Sequence, residues 1–521
     1  MSICEVSPEE YTSAMQFYLA HTRIICPCAP WAAQIDEQVV LTIPTTVEER
    51  MHFSKDIGSP SSQEEAAQKR RMLLWGVIKM AVLGTISDDV LFRSTGRGRC
   101  FTLHSPSPSR VPLQRIHIGP YAIPEKLADT PCNRIHVKGF LRKLNEIHAT
   151  NYTLNIPGLR NCLEHVLQSC EDFGQAYGTI RPWWQYKMTR VLDAMTRREK
   201  TDYELRSGAV RGSCIQDADI PPRRVWDLWS NRVLPFHCSP TESSSGKHVP
   251  DNLWTISHSW VAAKERQEVW TRVNGCLWPV PIPSATTLSH LRIELLNMGA
   301  EYVWLDVLCL RQKGRDEDEV LRREEWKLDV PTIGCIYHRG PITCVTYFNG
   351  LGIPFETSQG TLQSDRHWFN RVWTVQEACR CWLPGGITGE ITPDAPSLFA
   401  RLESLRKQGT WDISSLLNTM ISRSCTTELD RIAGLAYLLD CPTLPIYDED
   451  VSVEDAWTLL IKHLPPWLRA GLFLEYPALP PDSLQLWISW KQVTSHFGSH
   501  GGYDGFWHLA DRSRFVANLH K

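Results

Sequence analysis

The chain has 521 residues, 42% of them hydrophobic and 22% charged, with a formal net charge of −3. The length fits about two to four globular domains, and the balance excludes a charge-rich disordered chain and a nucleic-acid binder working through a global basic field. The 17 cysteines are odd in number, scattered and free of any Cys-x-x-Cys pair. Cys26/Cys28 and Cys379/Cys381 lack partners at zinc spacing, so reduced, buried thiols in an intracellular protein are expected and no metal site is.

The first residues lack the basic start and apolar core of a signal peptide. The apolar stretch Met72–Leu83 is interrupted by Lys79 and is too short to span a bilayer, so a cytoplasmic protein without a membrane span is expected. Residues 1–225 read as a mostly helical region of unknown role. Within it, 61–84 suits a helix docking its second half, 92–124 suits loops or short strands, and 156–200 suits two helices. The basic run 190–200 reads as a solvated helix face. Residues 226–250 form a lead-in and linker, with a domain boundary at the Ser-rich stretch 239–249.

From 251 to 390 the pattern turns α/β. Leu253–Ser257 is a short strand. Thr286–Met298 is a helix with Leu288, Leu291, Leu295 and Met298 on one face and Gly299 as its stop. Tyr302–Val307 reads as a buried strand, Asp316–Asp329 as a charged and solvated helix, and Pro331 restarts a helix through Tyr337. Ile342–Phe348 is a third strand by its β-branched and aromatic content, and Asp365–Cys379 a further helix. Strands alternating with helices predict a parallel sheet covered by helices. Residues 391–521 read as mainly helical, with periodicity over Thr427–Leu439 and Val453–Leu464, a Pro-rich break at 477–481 and a Trp-rich tail.

In an open parallel sheet, ligands bind beyond the carboxyl ends of the strands. Ser257, His258, Ser259 and Trp260 follow the first strand, Asp306 lies near the end of the second, and Arg371, Trp373 and Glu377 lie on the helix after the third. One cleft can therefore collect a hydroxyl and two carboxylates, with Arg371 as a bidentate phosphate donor and Trp260 or Trp373 as a stacking face. Each has a plainer reading. Asp306 can lock strand ends by accepting from Ser257 or Ser259, His258 can be a satisfied loop histidine, Trp373 can be core, and Glu377 can be an exposed helix residue. No Gly-x-Gly-x-x-Gly after a strand, Walker loop or Gly-x-Ser-x-Gly elbow occurs, so no redox cofactor is expected.

Three segments, Leu-Trp-Thr-Ile-Ser-His-Ser-Trp (253–260), Tyr-Val-Trp-Leu-Asp-Val-Leu-Cys-Leu-Arg-Gln (302–312) and Arg-Val-Trp-Thr-Val-Gln-Glu (371–377), together resemble the sequence blocks of the fungal heterokaryon-incompatibility (HET) domain. Glu428-Leu-Asp-Arg-Ile-Ala-Gly-Leu resembles the family's continuation, and 225–235 its lead-in. The chain departs from the pattern at Val261, where Gly is usual, and at Arg311, where Asn is common. The resemblance implies a HET domain with a Toll/interleukin-receptor (TIR)-like, flavodoxin-like parallel sheet, and a role in fungal non-self recognition and programmed cell death.

Trp373 and Glu377 also match the Trp-x-x-x-Glu spacing of TIR domains, in whose enzymatic members that Glu is required for cleaving NAD. The resemblance thus implies Glu377 as the catalytic carboxylate of an NAD glycohydrolase, with NAD as substrate rather than cofactor. The other residues named above would line the substrate site. The alternative it leaves open is a non-enzymatic module that self-associates or binds a regulatory protein.

Overall fold

The computed structural model describes residues 101–104, 109–119, 121–239, 249, 252–338, 343–357, 363–378, 381–388, 398, 401–402, 416–417, 419–420 and 422–469. The apolar stretch 72–83, the helix expected over 61–84, Cys26/Cys28, Cys379 and the Trp-rich tail lie outside them. Among the described residues no helix is long and apolar enough to cross a membrane.

Two short strands, Phe101–His104 and Ile116–Gly119, pair antiparallel at the start of the described chain. After α1 (Val137–His148), the stretch 156–200 holds three helices where two were expected: α2 (Leu159–Ser169), α3 (Phe173–Ile180), whose N-cap Asp172 accepts from the Gln175 amide at 3.0 Å, and the start of α4 (Val191–Ala209). The extra break falls at Cys170 and Asp172, both in extended backbone, where the capping carboxylate starts a new helix. These helices bury Phe140, Leu144, Leu163 and Tyr177 in a core of their own. The basic run sits in α4, whose first turns are largely exposed.

A six-stranded mixed sheet stands at the centre. Its strands are β1 (Arg224–Asp227), β2 (Arg232–Pro235), β3 (Leu253–His258), β4 (Tyr302–Trp304), β5 (Thr343–Tyr347) and β6 (Cys381–Pro384), in the spatial order β6-β5-β3-β4-β1-β2. The pairs β6/β5, β5/β3 and β3/β4 are parallel, whereas β1 joins β4 antiparallel and β2 closes the edge. Counted along the chain, the parallel strands run 2-1-3-4, a doubly wound order that reverses between β3 and β5.

Because β1 and β2 are hydrogen-bonded into this sheet, it crosses the division expected at residue 250. Buried ion pairs tie the hairpin to the N-terminal helices: Arg181 grips Asp227 through two 2.8 Å bonds, and Arg232 reaches Asp172 at 2.9 Å. Strand pairing and the Arg181–Glu301 ion pair thus join residues on both sides of that division.

Between the parallel strands lie α5 (Leu288–Asn297), α6 (Asp306–Cys309), α7 (Glu319–Asp329), α8 (Ile333–His338) and α9 (Trp373–Gln376). Thr287 caps α5 by accepting from the His290 amide at 3.1 Å, and Gly299, at φ +93°, takes the left-handed turn that ends it. The strand expected over 302–307 stops at Trp304, and Asp306 opens a helical turn instead, its Oδ1 accepting the Val307 amide at 2.7 Å.

The helix expected to be solvated buries Arg322, Glu325 and Asp329. Arg322 pairs with Glu319 and Glu449, Glu325 with Arg311 and the distant Arg224, and Asp329 with the distant Arg223. The helix expected over 365–379 is instead the short 3-10 turn Trp368–Asn370 and the single-turn α9, separated by Arg371, which bridges to Ser424.

Last come α10 (Glu428–Leu438) and α11 (Val453–His463), which pack with Val372, Val375 and Leu328 in a third core. Leu444–Pro445 pairs with Cys214–Ile215, fastening this end of the chain beside α4. The cysteines whose side chains are described are free, and burial pushes the Cys309 and Cys335 thiols up to about 12, leaving them unreactive.

Candidate active site

Glu377 caps the C-terminus of α9, its amide donating to the Trp373 carbonyl at 3.2 Å, so the i, i+4 relation with Trp373 survives in one turn. Two further bonds hold that turn: the Thr374 hydroxyl donates to the Trp368 carbonyl at 2.6 Å, and Arg423 donates to Thr374 Oγ1 at 2.8 Å. The Glu377 carboxylate accepts from the Ser257 hydroxyl at the end of β3. Ser257 Oγ in turn accepts from the Trp368 indole at 2.6 Å. Since indole nitrogen only donates, the hydroxyl proton points at Glu377.

Burial raises the Glu377 pKa to about 7, and the charge of Asp306 adds to the rise, while Ser257, His258 and Arg371 oppose it. Glu377 keeps some surface in the cleft, but its carboxyl lies deep enough for desolvation to dominate.

The buried His258 faces two acceptors. Its Nε2 lies 2.9 Å from Asp306 Oδ1 and its Nδ1 3.1 Å from the Ser259 carbonyl oxygen. Only the doubly protonated ring satisfies both. Burial lowers its pKa, but the Asp306 charge and hydrogen bond and the Ser259 carbonyl outweigh that and raise it above the ordinary value. An imidazolium locked to a carboxylate is a fixed charge pair, not a free general base.

Glu377, His258, Asp306, Trp260, Arg371 and Trp373 all line one cleft of about 720 Å³, within the ordinary range of ligand pockets. It opens at the carboxyl ends of β3 and β4, beside the reversal of strand order. The Arg371 guanidinium makes no hydrogen bond or ion pair to any described residue; burial lowers its pKa, against Glu377, Asp430 and Asp306, which act to raise it. Trp260 lies 5.8 Å from the His258 ring, with Arg266 5.0 Å from its own ring.

Ser257 and Ser259 are buried and do not line the cleft. Ser257 backs Glu377, and the Ser259 hydroxyl donates to the Phe348 carbonyl at 2.9 Å. Both serines were expected as substrate contacts, but strand alternation and the pairing with β5 turn them into supports. Asp306 holds His258 and neither serine.

Sequence reasoning missed Trp368, which orients Ser257, and a second wall of the cleft from Ser424–Thr427, Asp430 and Tyr447. The one available signal was the resemblance at 428–435, which spans Asp430. Among the described residues no three His, Cys, Asp or Glu side chains are placed to hold a metal ion. No protein-family model matches the chain, and no curated protein or solved structure matches it.

Proposed function

We propose that this chain is a HET-type effector of fungal non-self recognition and cell death, built on a TIR/flavodoxin-like core, whose cleft hydrolyses the nicotinamide–ribose bond of NAD. The observation that supports the reading best is the convergence of Glu377, Arg371 and two tryptophans on one cleft at the carboxyl ends of β3 and β4, although they come from separate stretches of chain.

The chemistry fits the groups present. Glycosidic cleavage passes through an oxocarbenium-like state that an adjacent carboxylate stabilises. Nicotinamide leaves with the electron pair of the broken bond, which neutralises its ring nitrogen, so no acid is required. Water bonds to the ribose carbon and its proton is lost to solvent, giving nicotinamide, ADP-ribose and H⁺. Glu377 supplies the carboxylate, Ser257 steadies its ionised form, Arg371 meets the diphosphate as a planar fork, and Trp260 or Trp373 covers a base.

The test follows nicotinamide release from NAD by the full chain and by Glu377→Gln, at concentrations spanning any self-association. Release that vanishes in the variant supports the enzyme. No release at any concentration leaves the self-associating, non-enzymatic module as the better reading.

A further inference from the structure

The cleft does not end at the parallel sheet. Its second wall comes from the chain after residue 420 and includes Thr427, Asp430 and Tyr447. Asp430 is held as firmly as Glu377: its Oδ2 accepts the Thr427 amide at 3.1 Å in a capping box, and its Oδ1 accepts the Tyr447 hydroxyl at 3.1 Å. These two bonds leave lone pairs on both oxygens. Among the described residues no cation pairs with Asp430. Arg371 lies within electrostatic reach of both carboxylates, and its backbone bridges to Ser424, six residues before Asp430. Trp326 and Tyr447 bring aromatic faces to this end, 5.9 Å apart.

The cleft thus holds two carboxylates, Glu377 and Asp430, within electrostatic reach of one guanidinium, with aromatic rings on both walls. A dinucleotide offers diol, diphosphate, diol, with a base at each end. We propose that Asp430 receives the second ribose diol of a dinucleotide and thereby selects one with no phosphate on its 2′-hydroxyl. A carboxylate accepts two hydroxyl protons but repels a phosphate dianion at the same place. The proposal rests on the NAD reading of the cleft and adds that the C-terminal region is part of the site.

The test uses the full chain and measures nicotinamide release from NAD and NADP, with binding of both to Glu377→Gln by calorimetry. Wild type is expected to favour NAD by about tenfold or more, the worth of a charge-assisted hydrogen bond. Asp430→Asn is expected to shrink that preference toward unity, chiefly through KM for NAD. Asp430→Glu keeps the capping box and shifts the carboxylate by one methylene, so it carries the same test should Asn impair folding. Equal use of NAD and NADP by wild type overturns the proposal and leaves the NAD reading intact, as does a preference that neither folded variant alters. Absence of both turnover and binding with either nucleotide overturns the NAD reading and this proposal with it.

Discussion

Ser257 and Glu377 lie 120 residues apart in the chain, yet one hydrogen bond joins them across the end of the sheet. Its direction is set by Trp368, whose indole occupies the hydroxyl oxygen as acceptor. Ser257→Ala therefore removes two bonds at once and strands a buried indole N–H, at a cost of about 1–3 kcal/mol. Chemical denaturation reads that loss. The same variant is expected to shift the pH–rate profile for nicotinamide release upward, because Ser257 bonds the charged form of Glu377. An unmoved profile would show that the hydroxyl does not tune the carboxyl.

Glu377 has its folded pKa raised to about 7. A raised pKa contributes stability that is present below the unfolded value and is lost as pH rises through the folded one. For Glu377 that loss runs from about pH 4.5 to above 7. Glu377→Gln keeps a neutral side chain throughout, so its melting temperature relative to wild type is expected to be higher at pH 8 than at pH 5. In wild type, turnover that needs the carboxylate should climb through about pH 7. A melting difference that does not change with pH counts against the raised pKa.

What the sequence disclosed follows from how local each signal is. The strand at 253–258, the helix at 288–297 and the strand at 343–347 were legible because apolar periodicity and turn residues lie within a few positions of one another. The hairpin 224–235 read as a linker because its place in the sheet depends on Arg181 and Glu301, far off in sequence. Glu325 and Asp329 read as solvated because their arginine partners are up to about a hundred residues away. Glu377, Arg371 and His258 could be nominated from motif spacing. The resemblance at 428–435 spans Asp430 but could not place it in the cleft, since no local pattern says which helix N-terminus will face which strand.

The pairing of His258 with Asp306 makes a distinct forecast. His258 is expected to stay protonated above the ordinary histidine range, and Asp306→Asn to bring its titration down, because the opposing charge is gone while burial remains. Nitrogen-detected NMR on histidine-labelled protein resolves both states of the ring. Stability from this raised pKa is present at acid pH and fades as pH climbs through the folded value. A His258 that titrates identically in wild type and Asp306→Asn would refute the fixed charge pair.

Gly334 of α8 has no room for a side chain. A Cβ there would meet the Tyr437 ring at 2.2 Å and the Gln376 amide nitrogen at 2.5 Å. Gln376 immediately precedes Glu377, and its carbonyl already accepts from His338 at 2.7 Å. Gly334→Ala is expected to cost about 1–3 kcal/mol by overpacking and to lower turnover by displacing α9. A variant as stable and as active as wild type would mean that the helices separate without disturbing the cleft.

Fragments make the last forecast. A piece spanning 251–390 keeps every parallel strand but loses β1 and β2, the helices that anchor them and the Asp430 wall. It would expose the edge of β4, which otherwise pairs with β1. Unpaired edges invite association. The fragment is therefore expected to be aggregated or to lack a cooperative melting transition. A fragment covering 101–469 should melt cooperatively. Within that longer piece, Arg181→Ala leaves Asp227 buried and unpaired, and is expected to lower the melting temperature more than Arg323→Ala, whose partners Glu319 and Asp450 are exposed or half-exposed. If the short fragment instead melts cooperatively and binds NAD as the long one does, the hairpin and the second wall are dispensable and the site belongs to the parallel strands alone.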